Sequence, residues 1–376
     1  MLRTEPSGHE VPRIEMDAAM LLHRSIAVYG PSGTGKTVIV KHILEQLREA
    51  VPCAIVVCPS EPTNRNYEGI ISSQLIHFAM EWPDPKRPTQ RLGGKKGAEE
   101  WLKHVWARQS ALASSYALGR DLKRLKRLGR HLKPAAQASC TRELGALAAR
   151  RRELEAAAAR TYRHSEARRE EAVQKIRGLT EEGERNCLRA HLVADYNQVW
   201  RQPALTEGDK ACLKNLTLNP NLVIVFDDCG PDLSEIKGNK VLKNMLFRGR
   251  HNYVTLVFCL QDDTEFSPAL RKNIFINVMA SDQTASSVLG RTATTATQRR
   301  AVGEYVDTVF SGDEIHRKLI YLRDDPSQQH YYHFTASEYA RRPFGSVAVR
   351  ELCDKVAGAT GQISADNPYA ARFGRQ

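Results

Sequence analysis

Five apolar runs punctuate the chain, at 26–29, 54–58, 222–226, 254–260 and 274–278. They are nearly continuous rather than alternating, interrupted only by Thr255 and Asn277, as expected for strands covered on both faces of a parallel sheet. Two further runs, at 319–322 and 330–334, predict a terminal hairpin. After the first run, Val40, Ile43, Leu44 and Leu47 fall on one face of a helix. A second helix is expected near 239–248. A short third one is opened by the capping box Thr206-Glu-Gly-Asp209. Residues 1–24 mix Pro, Gly and charge ahead of Met20-Leu21-Leu22, which suggests an arm lying on the core.

The pattern changes after the Pro- and Gly-rich stretch 83–97. From about 98 to 200 there is one proline, and Ala, Leu, Arg and Glu dominate. Leu118, Leu122, Leu125 and Leu132, then Leu144, Leu147, Leu154 and Ala158, recur at helical spacings. This predicts long helices in an antiparallel, coiled-coil-like hairpin. A further helix near 180–200 carries Leu188, Leu192, Tyr196 and Val199 on one stripe. The expected organisation is an α/β core split by a helical insertion. Residues 1–94 and 203–345 supply the core, 95–202 the insertion, and 346–376 a Gly-containing tail expected to be partly disordered.

Composition adds a partner. The 376 residues carry a net charge of +12, which suits a polyanion such as nucleic acid. Between 120 and 185, 18 Lys or Arg face 10 Asp or Glu. That surplus fits a solvated helical surface, a DNA contact or a subunit contact. No apolar run reaches the ~20 residues of a membrane span, and no secretory signal is visible at the N-terminus. The eight cysteines form no C-x-x-C pair, so a reduced intracellular setting is expected and a zinc site is not.

The chemistry concentrates at Gly30-Pro31-Ser32-Gly33-Thr34-Gly35-Lys36-Thr37, a phosphate-binding loop between strand and helix. Its glycines let successive amides face an anion, and the following helix adds its positive end. Lys36 is expected to reach the β- and γ-phosphates of ATP, and Thr37 to ligate Mg²⁺. The run 222–226 ends in Asp227-Asp228. Asp227 is expected to hold the metal and Asp228 to orient or deprotonate the attacking water. Gln261, at the end of run 254–260, is placed to sense the γ-phosphate or hold the water.

The order of these blocks resembles the genome-packaging ATPases of poxviruses and other large DNA viruses, within the FtsK/HerA superfamily of DNA-pumping motors. The resemblance rests on the phosphate loop, Pro59…Asn66-Tyr67, FDDC (226–229), GRH (249–251), FCLQDD (258–263) and LRKN (270–273). It covers about 22–80 and 203–335. It implies a RecA/FtsK-like fold, ATP hydrolysis and non-specific grip on the backbone of double-stranded DNA. It also implies a homo-oligomeric ring in which Arg250 enters a neighbour's site as an arginine finger, with Arg271 as the competing finger or a DNA contact. Partners of capsid or portal type and a place at virion assembly in the host cell, or in the virion, follow from the same resemblance. A DNA helicase or segregation pump shares this motor core, and a slow nucleotide-gated DNA-binding scaffold is the alternative from another class. Two features depart from the pattern. Asp228 stands where superfamily relatives often have Glu, and the insertion exceeds what the family core needs.

Overall fold

The computed structural model describes residues 11–292, 295–311, 317–323, 330–337, 339–340 and 342–359. Its strands, in chain order, are β1 (Ser25–Tyr29), β2 (Cys53–Val57), β3 (Ile76–His77), β4 (Trp82–Asp84), β5 (Arg87–Leu92), β6 (Leu222–Phe226), β7 (Val254–Leu260), β8 (Ile276–Met279), β9 (Arg317–Leu322) and β10 (Tyr331–Thr335). The first helices are α1 (Ala18–Leu21), α2 (Lys36–Leu47), α3 (Glu61–Asn64) and α4 (Gly94–Leu118). Then come α5 (Leu122–Leu128), α6 (Pro134–Thr161), α7 (Glu166–Ala194), α8 (Tyr196–Trp200) and α9 (Glu207–Lys214). The last are α10 (Gly230–Ile236), α11 (Lys240–Arg248), α12 (Pro268–Arg271), α13 (Asp282–Thr292), α14 (Ala296–Phe310) and α15 (Val347–Ala359).

Eight strands form one sheet in the order β10-β9-β8-β1-β7-β6-β2-β3. From β8 to β3 every pairing is parallel, while β9 and β10 add the antiparallel hairpin expected from the sequence. The pleat sorts side chains to two faces. Ala27, Tyr29, Ile55, Val57, Ile224, Phe226, Phe258 and Leu260 share one buried cluster with the apolar stripes of α10, α11, α13 and α14. Their neighbours Ile26, Val28, Ala54, Val56, Val225 and Val257 share the other with Ile39, Val40, Ile43, Leu44 and Leu47 of α2. Burial on both faces is why these strands read as nearly unbroken apolar runs rather than alternating ones.

The N-terminal arm does lie on this core. Val11, Met16 and Leu21 are buried, and the arm bonds to β10 through Ile14 N–H to His333 O (2.9 Å) and His333 N–H to Pro12 O (3.0 Å). The C-terminal segment begins with an ordered helix, α15, whose Cys353 and Ala357 are buried. The expectation of partial disorder from 360 onward falls outside the described residues.

Contacts divide the chain into two units, residues 1–110 with 220–376, and residues 111–219. These limits lie further along the chain than the compositional breaks at 95 and 202, and packing gives the reason. Ala98, Trp101 and Leu102, at the start of α4, belong to the sheet's core, with Trp101 edge-on to Phe226. At the other end, Cys212, Leu213 and Leu216 join Leu125, Leu128, Leu188, Leu192 and Val199 in the core of the helical unit. The hairpin there is α6 against α7. The helix expected near 180–200 is the last part of α7, which begins at Glu166, followed by α8. Leu118 and Leu154 are exposed, so their helical spacing does not mark buried positions.

Candidate active site

Because β2, β6, β7 and β1 run parallel and lie side by side, the segments that follow them emerge at one edge of the sheet. That edge gathers Cys58–Ser60, Asp227–Cys229, Gln261–Asp263 and the loop 30–37. The loop is anchored by Gly30 N–H donating to Leu260 O (3.1 Å). Gly33 and Gly35 sit at φ +82° and +86°, a region L side chains rarely adopt. A Cβ on Gly30 would lie 2.5 Å from Thr34 Oγ1 and 2.9 Å from Ala280 Cβ, so the first position also admits only glycine. The twelve-residue α2 then starts at Lys36 with no acid in its first turn, leaving its positive end open to an anion.

Lys36 is almost fully buried and curls back over the loop. Its Nζ donates to Gly30 O (2.7 Å) and Pro31 O (3.0 Å). Thr37 Oγ1 lies 3.5 Å from Asp227 Oδ2, so a hydroxyl and a carboxylate oxygen converge where hard oxygen donors suit Mg²⁺. Asp227 is 2 % exposed. Burial raises its pKa above the usual carboxylate value, the Asp228 charge adds to that, and hydrogen bonds from Tyr67 and Cys259 oppose it. Tyr67, completely buried, donates its hydroxyl to Asp227 Oδ2 at 2.7 Å. Its own pKa is pushed well up, first by burial and then by that carboxylate, so the phenol keeps its proton. Tyr67 is itself held by the buried Glu61, which accepts the backbone N–H groups of Asn66 (2.9 Å) and Tyr67 (2.8 Å).

Asp228 is exposed and takes φ +56°, a left-handed conformation uncommon for a residue with a side chain. This turns it away from β6, and its Oδ2 accepts from Ser60 Oγ at 2.7 Å. Gln261 is exposed directly after β7, and its backbone N–H donates to Glu265 Oε1 (2.6 Å). The fold therefore brings Lys36, Thr37, Asp227, Asp228 and Gln261 to one sheet edge.

Arg250 is not among them. It sits in the turn Gly249–Asn252 before β7, so the length of β7 separates it from that edge, roughly 20 Å at ~3.3 Å per residue. There it lines a cavity of about 200 Å³ together with Arg24, Lys272 and Arg323. Among the described residues that line it there is no carboxylate. Arg271, the competing finger, donates to the buried Asp263, which also receives Arg291. Its guanidinium is thereby committed within the chain.

Two polar groups at the site escaped the sequence reading. Lys318, at the start of β9, donates Nζ to Ala280 O (2.9 Å) and Thr34 O (3.2 Å), gripping the phosphate loop from the side opposite β7. Partial burial lowers its pKa. A lysine heading an apolar run gives no signal until the order β9-β8-β1 is known. Ser60 lay in a segment legible only as loop, and its contact with Asp228 depends on β2 lying beside β6.

These elements define an α/β P-loop NTPase fold. The chain belongs to the family of uncharacterized protein B354L of African swine fever virus (isolate Pig/Kenya/KEN-50/1950), with which it is 31% identical over 375 residues, 99% of either chain. No family model matches it. Solved structures similar to it include the pCW3 conjugation coupling protein TcpA with ATPγS, at 12% identity and TM-score 0.35 over 90% of this chain and 65% of that one. The plasmid coupling protein TrwB with a GTP analogue is 10% identical at TM-score 0.35, over 91% and 93%. Likeness at that level is too remote to bear on function. Among the described residues, no helix is long and apolar enough to cross a membrane.

Proposed function

We propose that this protein is an ATP-hydrolysing motor that translocates double-stranded viral DNA into the capsid, acting as a homo-oligomeric ring. The observation that carries the reading is the division of the site between two edges of one sheet. Lys36, Thr37, Asp227, Asp228 and Gln261 stand at one edge, while Arg250 stands at the other beside Arg24, Lys272 and Arg323. Among the described residues at the nucleotide edge, Arg271 and Arg291 are tied to Asp263, so an arginine for the transferred group would come from a neighbour.

Bound Mg·ATP supplies the electrophilic phosphorus and neutralises part of the phosphate charge. The chain's residues do the rest. Lys36 would exchange its two carbonyl partners for phosphate oxygens, and Thr37 with Asp227 would hold the metal. Asp228, kept in place by Ser60, accepts the proton of the attacking water, and Gln261 orients that water. Arg250 of the next subunit stabilises charge on the transferred group. Non-specific DNA grip needs only cations on the phosphate backbone, which the charge of +12 supplies. Packaging partners of capsid or portal type, and action at virion assembly in the host cell, fit membership in a viral family.

A second reading, a slow nucleotide-gated DNA-binding scaffold, draws on Asp228. The shorter acid is hydrogen-bonded to Ser60. A helicase or segregation pump would share the core, and strand separation on a forked duplex would point to the helicase. The test of the ring is subunit mixing. Lys36→Ala and Arg250→Ala chains, each inactive alone, should regain ATPase activity when combined, because mixed interfaces pair an intact loop with an intact arginine. No recovery in co-assembled mixtures would reject the shared site.

A further inference from the structure

The helical unit holds a group of side chains that ATP chemistry does not use. Cys140 and Glu143 lie one turn apart on α6, and Cys187 and His191 one turn apart on the antiparallel α7. Spacings of three and four place each pair on one helix face, and α6 and α7 turn those faces together. Cys140 Sγ is 3.9 Å from Cys187 Sγ, Cys187 Sγ is 3.4 Å from Glu143 Oε2, and His191 Nε2 is 3.0 Å from Glu143 Oε1. One donor atom each from Cys140, Cys187 and His191 all lie within 4.8 Å of one another.

These separations can be compared with a tetrahedron. Zinc bonds of about 2.3 Å to sulfur, 2.0–2.1 Å to nitrogen and 2.0–2.2 Å to a carboxylate oxygen give tetrahedral edges of ~3.8 Å (S–S), ~3.6 Å (S–O) and ~3.4 Å (N–O). The Cys140–Cys187 separation lies about 0.1 Å from its edge, whereas Glu143 meets Cys187 through Oε2 and His191 through Oε1. A rotation of the Glu143 carboxylate would bring one of its oxygens to the fourth vertex beside the three grouped donors. Ser139 Oγ donates to Glu143 Oε1 at 3.2 Å, the kind of outer contact that steadies a ligating carboxylate.

We propose that Cys140, Cys187 and His191, with Glu143 turning in as the fourth ligand, form a structural zinc site that staples α6 to α7. Two thiolates, an imidazole and a carboxylate in tetrahedral array suit zinc over harder or square-planar ions. Four protein ligands leave no open position, so the site is structural rather than catalytic. The hairpin has use for such a staple. α6 buries only Cys140 and Ala158, and α7 only Thr180, Leu188 and Leu192. So thin an apolar seam gives two long helices little to lock their register. The site is invisible to a C-x-x-C search because its ligands follow helix turns on two helices, not a loop.

The test uses the full chain, purified after expression with zinc, and measures bound metal by elemental mass spectrometry. The metal is then removed by chelation and the protein titrated with Co²⁺ alone. Expected are about one zinc per chain, ligand-field bands of tetrahedral cobalt, and a thiolate-to-cobalt charge-transfer band. Cys140→Ser and Cys187→Ser should each remove about half of that band, and His191→Ala should weaken Co²⁺ binding by more than about tenfold. Chelation should lower the melting temperature of the wild type but not of the Cys140→Ser/Cys187→Ser double variant. The wild-type spectrum alone decides the matter if a variant fails to fold. Absence of the charge-transfer band, metal content unchanged in the double variant, or an unreduced chain lighter by two hydrogens, meaning a Cys140–Cys187 disulfide, would each overturn the proposal.

Discussion

The Tyr67→Phe substitution isolates one hydrogen bond at the heart of the site. Tyr67 is completely buried and its hydroxyl lies 2.7 Å from Asp227 Oδ2, with Thr37 Oγ1 at 3.5 Å from the same oxygen. Phenylalanine keeps the ring and removes only the donor. A hydrogen bond to a charged partner contributes about 1.5–3 kcal/mol, and one between neutral groups about 0.5–1.5 kcal/mol. The penalty therefore depends on the ionisation of Asp227. Burial holds the folded-state pKa of Asp227 above its ordinary value. Stability from this group is thus fully present below the unfolded pKa and lost as pH rises through the folded one. Losing the Tyr67 hydroxyl raises that pKa further. The stability gap between wild type and Tyr67→Phe should therefore widen as pH rises, from the neutral-bond range toward the charged-bond range. Urea unfolding of the nucleotide-free and metal-free proteins across pH measures it. A gap that is absent, or that does not change with pH, would refute the idea that the phenol holds an ionisable Asp227. With Mg·ATP present, the same variant should need a higher Mg²⁺ concentration for half-maximal hydrolysis.

Three further outcomes follow from the same geometry. Asp227→Asn replaces a buried charge by a neutral amide, so it should raise the melting temperature of the nucleotide-free protein above pH 7 while eliminating Mg-dependent phosphate release. Lys318→Met removes the charged grip on Thr34 O and Ala280 O. At about 1.5 kcal/mol or more for such a bond, steady-state kinetics should show KM for ATP raised roughly tenfold or more. Gly97→Ala would set a Cβ 2.0 Å from Leu92 O, a backbone atom that cannot rotate away. It should cost about 1–3 kcal/mol in thermal unfolding without changing the nucleotide site.

Where chemistry and local pattern coincide, the sequence was read directly. The strand–loop–helix context of Gly30–Thr37 needs only neighbours in the chain, and Asp227-Asp228 closes an apolar run that is a central strand. What depends on sheet order was not legible. Tyr67 reaches Asp227 across 160 positions, and Lys318 reaches the phosphate loop across 284. Neither carries a local pattern that singles out its partner. The edges of the insertion were blurred for a related reason. α4 is continuous in sequence character, and only the burial of Trp101 and Leu102 on the sheet assigns its first part to the core. In the helical unit, leucine spacing described a hairpin, but it did not tell the exposed Leu154 from the buried Leu192.

The central claim is that ATP hydrolysis in this chain is coupled to movement on duplex DNA. Phosphate release with and without linear double-stranded DNA, at matched ionic strength, tests it most directly, with Lys36→Ala as the control that removes hydrolysis. The account predicts severalfold faster release with duplex DNA, lost in Lys36→Ala and strongly reduced in Arg250→Ala. A rate unchanged by duplex DNA, or one that survives in Lys36→Ala, would contradict it.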